Sequence, residues 1–220
     1  FRFFFFFLKI KKLEEDDGAF RQIIGEIARA DGVLWAFPLY YFLVCSQYKR
    51  FIELIFERDA AFAFRGKPAA VLTTSINFFD HTAHNYLNAV CDDLEMKFVG
   101  SYSAEMNDLR KSRERQRLAT FGELFIRAIQ DGSPSIRNNP PLTASEMVYT
   151  PAKPAPVEAT GKKVLIVVDE LEKSSNLCQM VEQLQTTFSP AAEVVQLKDI
   201  DIKGGCLGCL QCGLDNVCIY

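Results

Sequence analysis

The chain has 220 residues, of which 49% are hydrophobic and 24% are charged, and its formal net charge is −3 at pH 7. This slightly acidic balance argues against nucleic-acid binding, which normally needs a basic face. No apolar run reaches the roughly 20 residues that a membrane-spanning helix needs, so we expect no membrane association. Without a signal-peptide pattern, we expect a cytoplasmic protein.

Hydrophobic periodicity predicts alternating helices and strands over the first 130 or so residues. The predicted helices are Asp17–Ala30, Cys45–Glu57, Ala83–Glu95 and Leu109–Ile129, and the predicted strands are Val33–Phe37, Ala69–Thr74 and Lys97–Ser101. The opening stretch FRFFFFFLKIKKL has no periodicity. We interpret it as a non-native or truncated start, with a signal-peptide segment as the alternative.

A Pro-rich stretch separates this first segment from a second one. Residues 133–161 are rich in Pro, Ser, Thr and Asn, a composition that buries little apolar surface and is typical of a linker. A strand, a helix and a strand are predicted after it, at Lys163–Val168, Asn176–Phe188 and Glu193–Leu197. The predicted organisation is therefore a first segment at 1–132, a linker at 133–161 and a second segment at 162–220.

The stretch DGVLWAFPLYYFLVCSQYK organises the first segment. Pro38 ends the predicted strand because it has no N–H to donate to a neighbouring strand. An aromatic loop follows, and then a helix. This order of strand, loop and helix is typical of open α/β sheets, whose ligands bind at the carboxyl ends of the strands.

The same stretch resembles the flavin-ring loop of the NADPH-dependent FMN reductase family. The resemblance rests on the text ADG, FPLYY and SQYKRFIE between positions 30 and 53. It implies a flavodoxin-like three-layer α/β sandwich that binds FMN. It further implies NAD(P)H as the electron donor, a small-molecule or protein acceptor, and a homo-oligomer. The flavin contacts that it implies are Pro38, Leu39, Tyr40, Tyr41 and Phe42, together with Thr74, Ser75 and His81 from the next loop.

The order of the segments differs from that of the family. A flavodoxin-like sheet has five parallel strands in the order 2-1-3-4-5. The first segment would supply strands three to five, and the C-terminal segment would supply strands one and two. We expect either a permuted domain or an excerpt from a tandem protein, and we predict that Lys163–Val168 inserts beside Val33–Phe37.

The loop that would bind the flavin phosphate departs from the family pattern. It reads DELEKSSN over residues 169–176, with no glycine and with three carboxylates that oppose a phosphate. Ser174, Ser175 and Asn176 are the remaining candidate donors to a phosphate, or they only cap the following helix.

Four of the seven cysteines lie in the last fifteen residues, at Cys206, Cys209, Cys212 and Cys218. Four closely spaced thiolates suit a [4Fe–4S] cluster, and zinc is a further possibility. The spacing resembles that of the iron–sulfur flavoproteins, a branch of the same family. A surface loop or a set of redox thiols without metal is the competing interpretation.

Two functions are consistent with this sequence. The first is an FMN-dependent oxidoreductase or electron-transfer flavoprotein that uses NAD(P)H or a ferredoxin-like donor, in which no protein side chain has a required catalytic role. The alternative is a degenerate flavodoxin-like module without flavin, used for docking or dimerisation.

Overall fold

A computed structural model describes residues 16–76, 79–105, 107–141, 148–152, 155–158, 160–201, 203, 211–213 and 216–218. The chain forms two compact units, residues 1–143 and 144–220. Within the described ranges, no helix combines the length and the apolar character that crossing a bilayer requires.

The first unit is built on a parallel sheet in the order β1-β2-β3. The strands are β1 (Val33–Pro38), β2 (Pro68–Ser75) and β3 (Lys97–Glu105), and the helices are α1 (Asp17–Arg29), α2 (Ser46–Glu57), α3 (His81–Asp93) and α4 (Ser112–Asp131). The predicted α/β class and parallel pairing are confirmed. Because the strands are parallel, their carboxyl ends share one edge of the sheet, here named the carboxyl rim.

The core of the first unit lies on one face of this sheet. Alternate residues of β1 and β2 point to this face, since side chains alternate along a strand. They pack against the apolar stripes of α1, α2 and α3, whose sequences repeat apolar residues at helical spacing. The buried cluster includes Phe20, Ile24, Trp35, Phe37, Phe51, Ile55, Val71, Leu87 and Cys91.

The opposite face carries α4, which approaches closely at Gly32. A Cβ at Gly32 would lie 2.7 Å from Ile129 Cδ1, so glycine permits this contact at the start of β1. Phe125 and Ala128 form the buried side of α4, whereas Leu124 is 55% exposed.

Two boundaries in the first unit differ from the sequence prediction by three residues or more. Strand β3 runs four residues beyond Ser101, because Tyr102 and Ala104 are buried on it. Helix α4 begins at Ser112 rather than Leu109, since a short 3-10 turn precedes it. The buried Asp108 of this turn accepts a hydrogen bond from Glu105 N at 3.0 Å and so ties the end of β3 to the start of α4.

The residues after α4 fold back onto α3. One oxygen of the buried Asp92 carboxylate accepts hydrogen bonds from the backbone N–H groups of Asn138 and Asn139, at 2.9 Å and 2.8 Å. The first residues of the predicted linker are therefore held in place locally.

The second unit contains β5 (Leu165–Val168), which pairs in parallel with β7 (Glu193–Gln196), and the helix α5 (Asn176–Thr187) between them. A short pair joins β4 (Val157–Glu158) and β6 (Phe188–Ser189). The described strands form separate sheets of three, two and two strands. The predicted single sheet of five strands, with its C-terminal contribution, is not confirmed and stays a prediction.

Candidate functional site

A strained aromatic turn stands at the carboxyl end of β1. Tyr40 and Leu43 exchange two backbone hydrogen bonds, of 3.0 Å and 2.9 Å, across the turn. The two central residues have left-handed backbones, with φ of 42° at Tyr41 and 70° at Phe42. Such conformations cost about 1–3 kcal/mol each for side chains of this kind and recur at functional sites. The turn presents Tyr41 with 94% of its surface exposed.

The base of this turn is firmly held. Tyr48, on α2, donates its hydroxyl to Ala36 O at 2.7 Å, and its ring packs against Phe37 with 5.3 Å between centroids. Burial raises the pKa of Tyr48 to about 12, so this hydroxyl stays a donor at any ordinary pH. Leu39 N donates to Thr74 O at 2.9 Å and fixes the start of the turn to the end of β2.

The loop after β2 contributes a second aromatic side chain. Phe79 also has a left-handed backbone, with φ of 37°. Its ring meets Phe42 edge-on, with 5.6 Å between the centroids. The two loops therefore form one exposed aromatic surface, here named the aromatic rim, made of Tyr40, Tyr41, Phe42 and Phe79.

Polar atoms without partners are buried near the ends of β2 and β3. They are the hydroxyl oxygens of Ser75 and Ser103 and Oδ2 of Asp80, none of which has a hydrogen-bond partner within the described residues. A buried polar group left unpaired costs about 1–3 kcal/mol, so these atoms are candidates to hydrogen-bond a ligand. Asp80 precedes α3 yet makes no side-chain capping bond.

Sequence reasoning placed some of these residues and missed others. Thr74 and His81 are exposed near the carboxyl rim, and their contact with a flavin stays a prediction. Thr73 and Ser103 were missed as polar groups of this region, because only the strand register shows that they share the core face. His84, on α3, is partly buried. Burial lowers the pKa of His84, although Asp80 acts in the opposite direction.

A basic segment follows β3. It contains five exposed cations with one carboxylate, Glu114, between them: Arg110, Lys111, Arg113, Arg115 and Arg117. Lys111 pairs with Asp108 and Arg117 pairs with Glu114. Cations at a helix N-terminus oppose the helix dipole, so this arrangement favours a bound anion.

The proposed phosphate loop in the second unit has its own partners. Ser175 Oγ caps α5 by accepting from Cys178 N at 3.1 Å, and Asn176 Oδ1 accepts from Tyr149 N at 2.8 Å. Glu170 pairs with Lys198 at 2.6 Å, and this pairing raises the pKa of Lys198. Ser174 has a left-handed backbone with φ of 67°. The role of residues 174–176 in phosphate binding stays a prediction.

The cysteine cluster falls largely outside the described residues. Cys206 and Cys209 lie outside them, and Cys212 and Cys218 are exposed thiols. Where the chain is described, no group of three or more candidate ligands converges on a metal position.

One family model matches the part of the chain that contains the aromatic rim. Residues 2–108, just under half of the chain, match the family model described as NADPH-dependent FMN reductase. No curated protein sequence matches the chain.

Several solved structures are similar to it. An NADH:FMN oxidoreductase (EMOB) in its apo form has 20% identity and a TM-score of 0.46, over 55% of this chain and 67% of that chain. The flavoenzyme NAD(P)H:(acceptor) oxidoreductase FerB from Paracoccus denitrificans has 17% identity and a TM-score of 0.41, over 58% and 76%.

The family match covers β1, β2, β3 and the aromatic rim between them. Over residues 2–108 this chain is therefore similar to the NADPH-dependent FMN reductase family.

Proposed function

We propose that the protein is an FMN-dependent oxidoreductase that takes electrons from NAD(P)H and passes them to a small-molecule or protein acceptor, with the flavin bound at the aromatic rim. The observation that carries this proposal is the strained turn of Tyr41 and Phe42. It keeps two aromatic side chains exposed at the rim, against the ordinary preference for burial.

The residues at the rim fit an isoalloxazine ring. Its flat faces suit stacking on Tyr and Phe side chains. Its polar edge carries one N–H donor and two carbonyl acceptors. The buried hydroxyls of Ser75 and Ser103 and the unpaired oxygen of Asp80 could pair with these groups, since they lack hydrogen-bond partners within the described residues. The chemistry that FMN supplies when bound is hydride acceptance from NAD(P)H.

The basic segment 110–117 suits the phosphate groups of the electron donor. Arg110 and Arg113 are exposed and take part in no ion pair within the described residues. They follow β3, so they stand on the same carboxyl rim as the aromatic turn. We propose that they attract NADPH through its negative charge, and that the protein's own part in catalysis is to bind and orient the two ligands.

Flavin titration with rim variants tests this proposal. Tyr41→Ala and Phe42→Ala should each weaken FMN binding by about tenfold, because each removes a stacking surface. Phe62→Ala is the matched control, since Phe62 is also exposed (65%) but follows α2 and lies toward the opposite edge of the sheet. Binding that is equally strong in all three variants would reject the aromatic rim as the flavin site.

A docking module without flavin is the second candidate function. It is favoured by the acidic loop of the second unit, in which Ser175 and Asn176 already hold other partners. A purified protein that stays colourless and takes up no added FMN would support this alternative.

We also propose, as the sequence predicted, that β5 and β7 complete the sheet beside β1 in the working protein. Support comes from the apolar side chains of Leu165 and Val167, which are exposed on β5, and from those of Leu177, Met180 and Leu184 on α5. Hydrogen exchange tests this, because pairing would protect those β1 amides that β2 leaves free.

A [4Fe–4S] cluster on Cys206, Cys209, Cys212 and Cys218 stays a prediction without support from the described residues or the family match. Iron and acid-labile sulfide analysis of anaerobically purified protein would decide it. Zinc in place of iron, or no metal, would reject the cluster.

A further inference from the structure

A buried hydroxyl in β2 has a single side-chain partner within the described part of the chain. Thr73 is 0% exposed and lies among the apolar residues of the core face. Its Oγ1 is 2.9 Å from Nε2 of His84, on the first turn of α3. A hydroxyl buried at this depth needs a hydrogen bond, so the two side chains stabilise each other.

This hydrogen bond links β2 to the first turn of α3, the two elements that flank the loop carrying Phe79. The loop leaves β2 after Ser75 and enters α3 at His81. Near its end, Phe79 adopts a left-handed backbone, a conformation that persists only when its surroundings fix it. The backbone of the next residue, Asp80, accepts from His84 N at 2.9 Å. His84 therefore holds the end of the loop through its backbone and its side chain.

The neighbours of His84 do not replace this bond. Asp80 Oδ2 is 3.8 Å from Nε2, too far for a hydrogen bond. His81 is exposed on the same turn of α3.

We infer that the Thr73–His84 hydrogen bond is a positioning device that holds Phe79 against Phe42 and so sets the aromatic rim for a planar ligand. His84 acts through the loop and has no contact with the ligand. The effect on flavin affinity rests on the proposed function, whereas the effect on the rim itself does not.

Hydrogen exchange of the ligand-free protein tests the coupling directly. The reporters are the amides of Tyr40 and Leu43, which form the two hydrogen bonds across the aromatic turn. Thr73→Val keeps the shape of the side chain but removes the hydroxyl. It should speed exchange at both reporters by about tenfold, because the turn opens more often once Phe79 is released.

The controls separate a local effect from a general one. Thr73→Ser keeps the hydroxyl and should leave both amides near their wild-type rates, as should His81→Gln. The amide of Lys97, bonded to Lys67 O at 2.9 Å, reports on general unfolding. Unchanged exchange at Tyr40 and Leu43 in Thr73→Val, or an equal rise at Lys97, would overturn the inference.

Flavin affinity provides the second readout. Thr73→Val and His84→Leu should each raise the Kd for FMN by about tenfold, and the double variant should raise it no further, because both remove the same bond. His84→Gln should restore much of the affinity, since its amide can reach Thr73. Additive losses would contradict the pairing. If the wild-type protein binds no FMN, the proposed function fails while the exchange result still decides the coupling.

Discussion

The loops that follow parallel strands differ between the two units. They differ in the exposure of their aromatic side chains and in the hydrogen bonds and ion pairs of their polar side chains. In the first unit, the loops after β1 and β2 expose aromatic side chains and leave Ser75 and Asp80 with unpaired buried atoms among the described residues. In the second unit, Ser175 caps its own helix and Glu170 pairs with Lys198. Unpaired buried groups cost stability, so their presence in the loops of the first unit supports the proposal that the ligand binds there.

The largest expected effect is on the KM for NADPH, when charge is removed from the basic segment 110–117. Replacing Arg110 and Arg113 together with Gln should raise the KM for NADPH by about tenfold at low ionic strength and leave the kcat little changed. Added salt should shrink this difference, because it screens exposed charges. Arg127→Gln, on the same helix but distant from its start, is the matched control and should behave like the wild type. An effect of Arg127→Gln as large as that of the pair would contradict a specific site.

The next largest effect is expected in the second unit, on the stability of α5. Ser175→Ala should lower the stability of α5 by about 1 kcal/mol, because it removes the N-cap oxygen that accepts a hydrogen bond from Cys178 N. Hydrogen exchange of the α5 amides would measure this loss. FMN affinity should stay within about twofold of the wild type. A tenfold weaker affinity would instead support the predicted phosphate contact at Ser174, Ser175 and Asn176.

A smaller effect, on the free energy of unfolding, tests whether the backbone of the aromatic rim is strained. Tyr41→Gly should raise the free energy of unfolding by about 0.5–1 kcal/mol, because glycine adopts positive φ without strain and the exposed ring loses little packing. The same change should weaken FMN binding. Asp59→Gly, at φ 51° and away from the rim, should stabilise less, since Asp tolerates this conformation, and should leave FMN binding unchanged. A loss of stability in Tyr41→Gly would argue against stored strain.

The smallest expected effect is a dependence of the protein's stability on pH that comes from His84. Its pKa lies below the ordinary value because burial disfavours the charged form, with Asp80 opposing and His81 assisting. Between the lowered folded pKa and about 6.5, the unfolded state binds more protons, so stability should fall as the pH drops through that window. His84→Gln should lose this part of the pH dependence in urea unfolding. An unchanged profile in the variant would assign the effect to other groups.

Much of the first unit was predictable from sequence, because its strands are short apolar runs between clear helical periods. The turn at Tyr41 and Phe42 was placed at the correct end of β1 from Pro38 and the family text. Its positive φ angles were not predictable, since no glycine marks them. The Thr73–His84 pair depends on strand register, which sequence periodicity alone does not fix.

The second unit was less predictable. The strands Leu165–Val168 and Glu193–Gln196 and their parallel pairing match the β-α-β prediction. The partners of Ser175 and Asn176 come from helix capping and from Tyr149 in the preceding segment. A composition that is typical of a linker gave no sign of that second contact.

Backbone exchange in both units, measured with and without FMN, tests directly whether the flavin binds at the aromatic rim. FMN should slow exchange of the amides of Leu39, Tyr40 and Leu43 and of the first turn of α3. The loop at 169–176 should change little. Protection confined to residues 169–176, with the aromatic rim unaffected, would show that the flavin binds elsewhere.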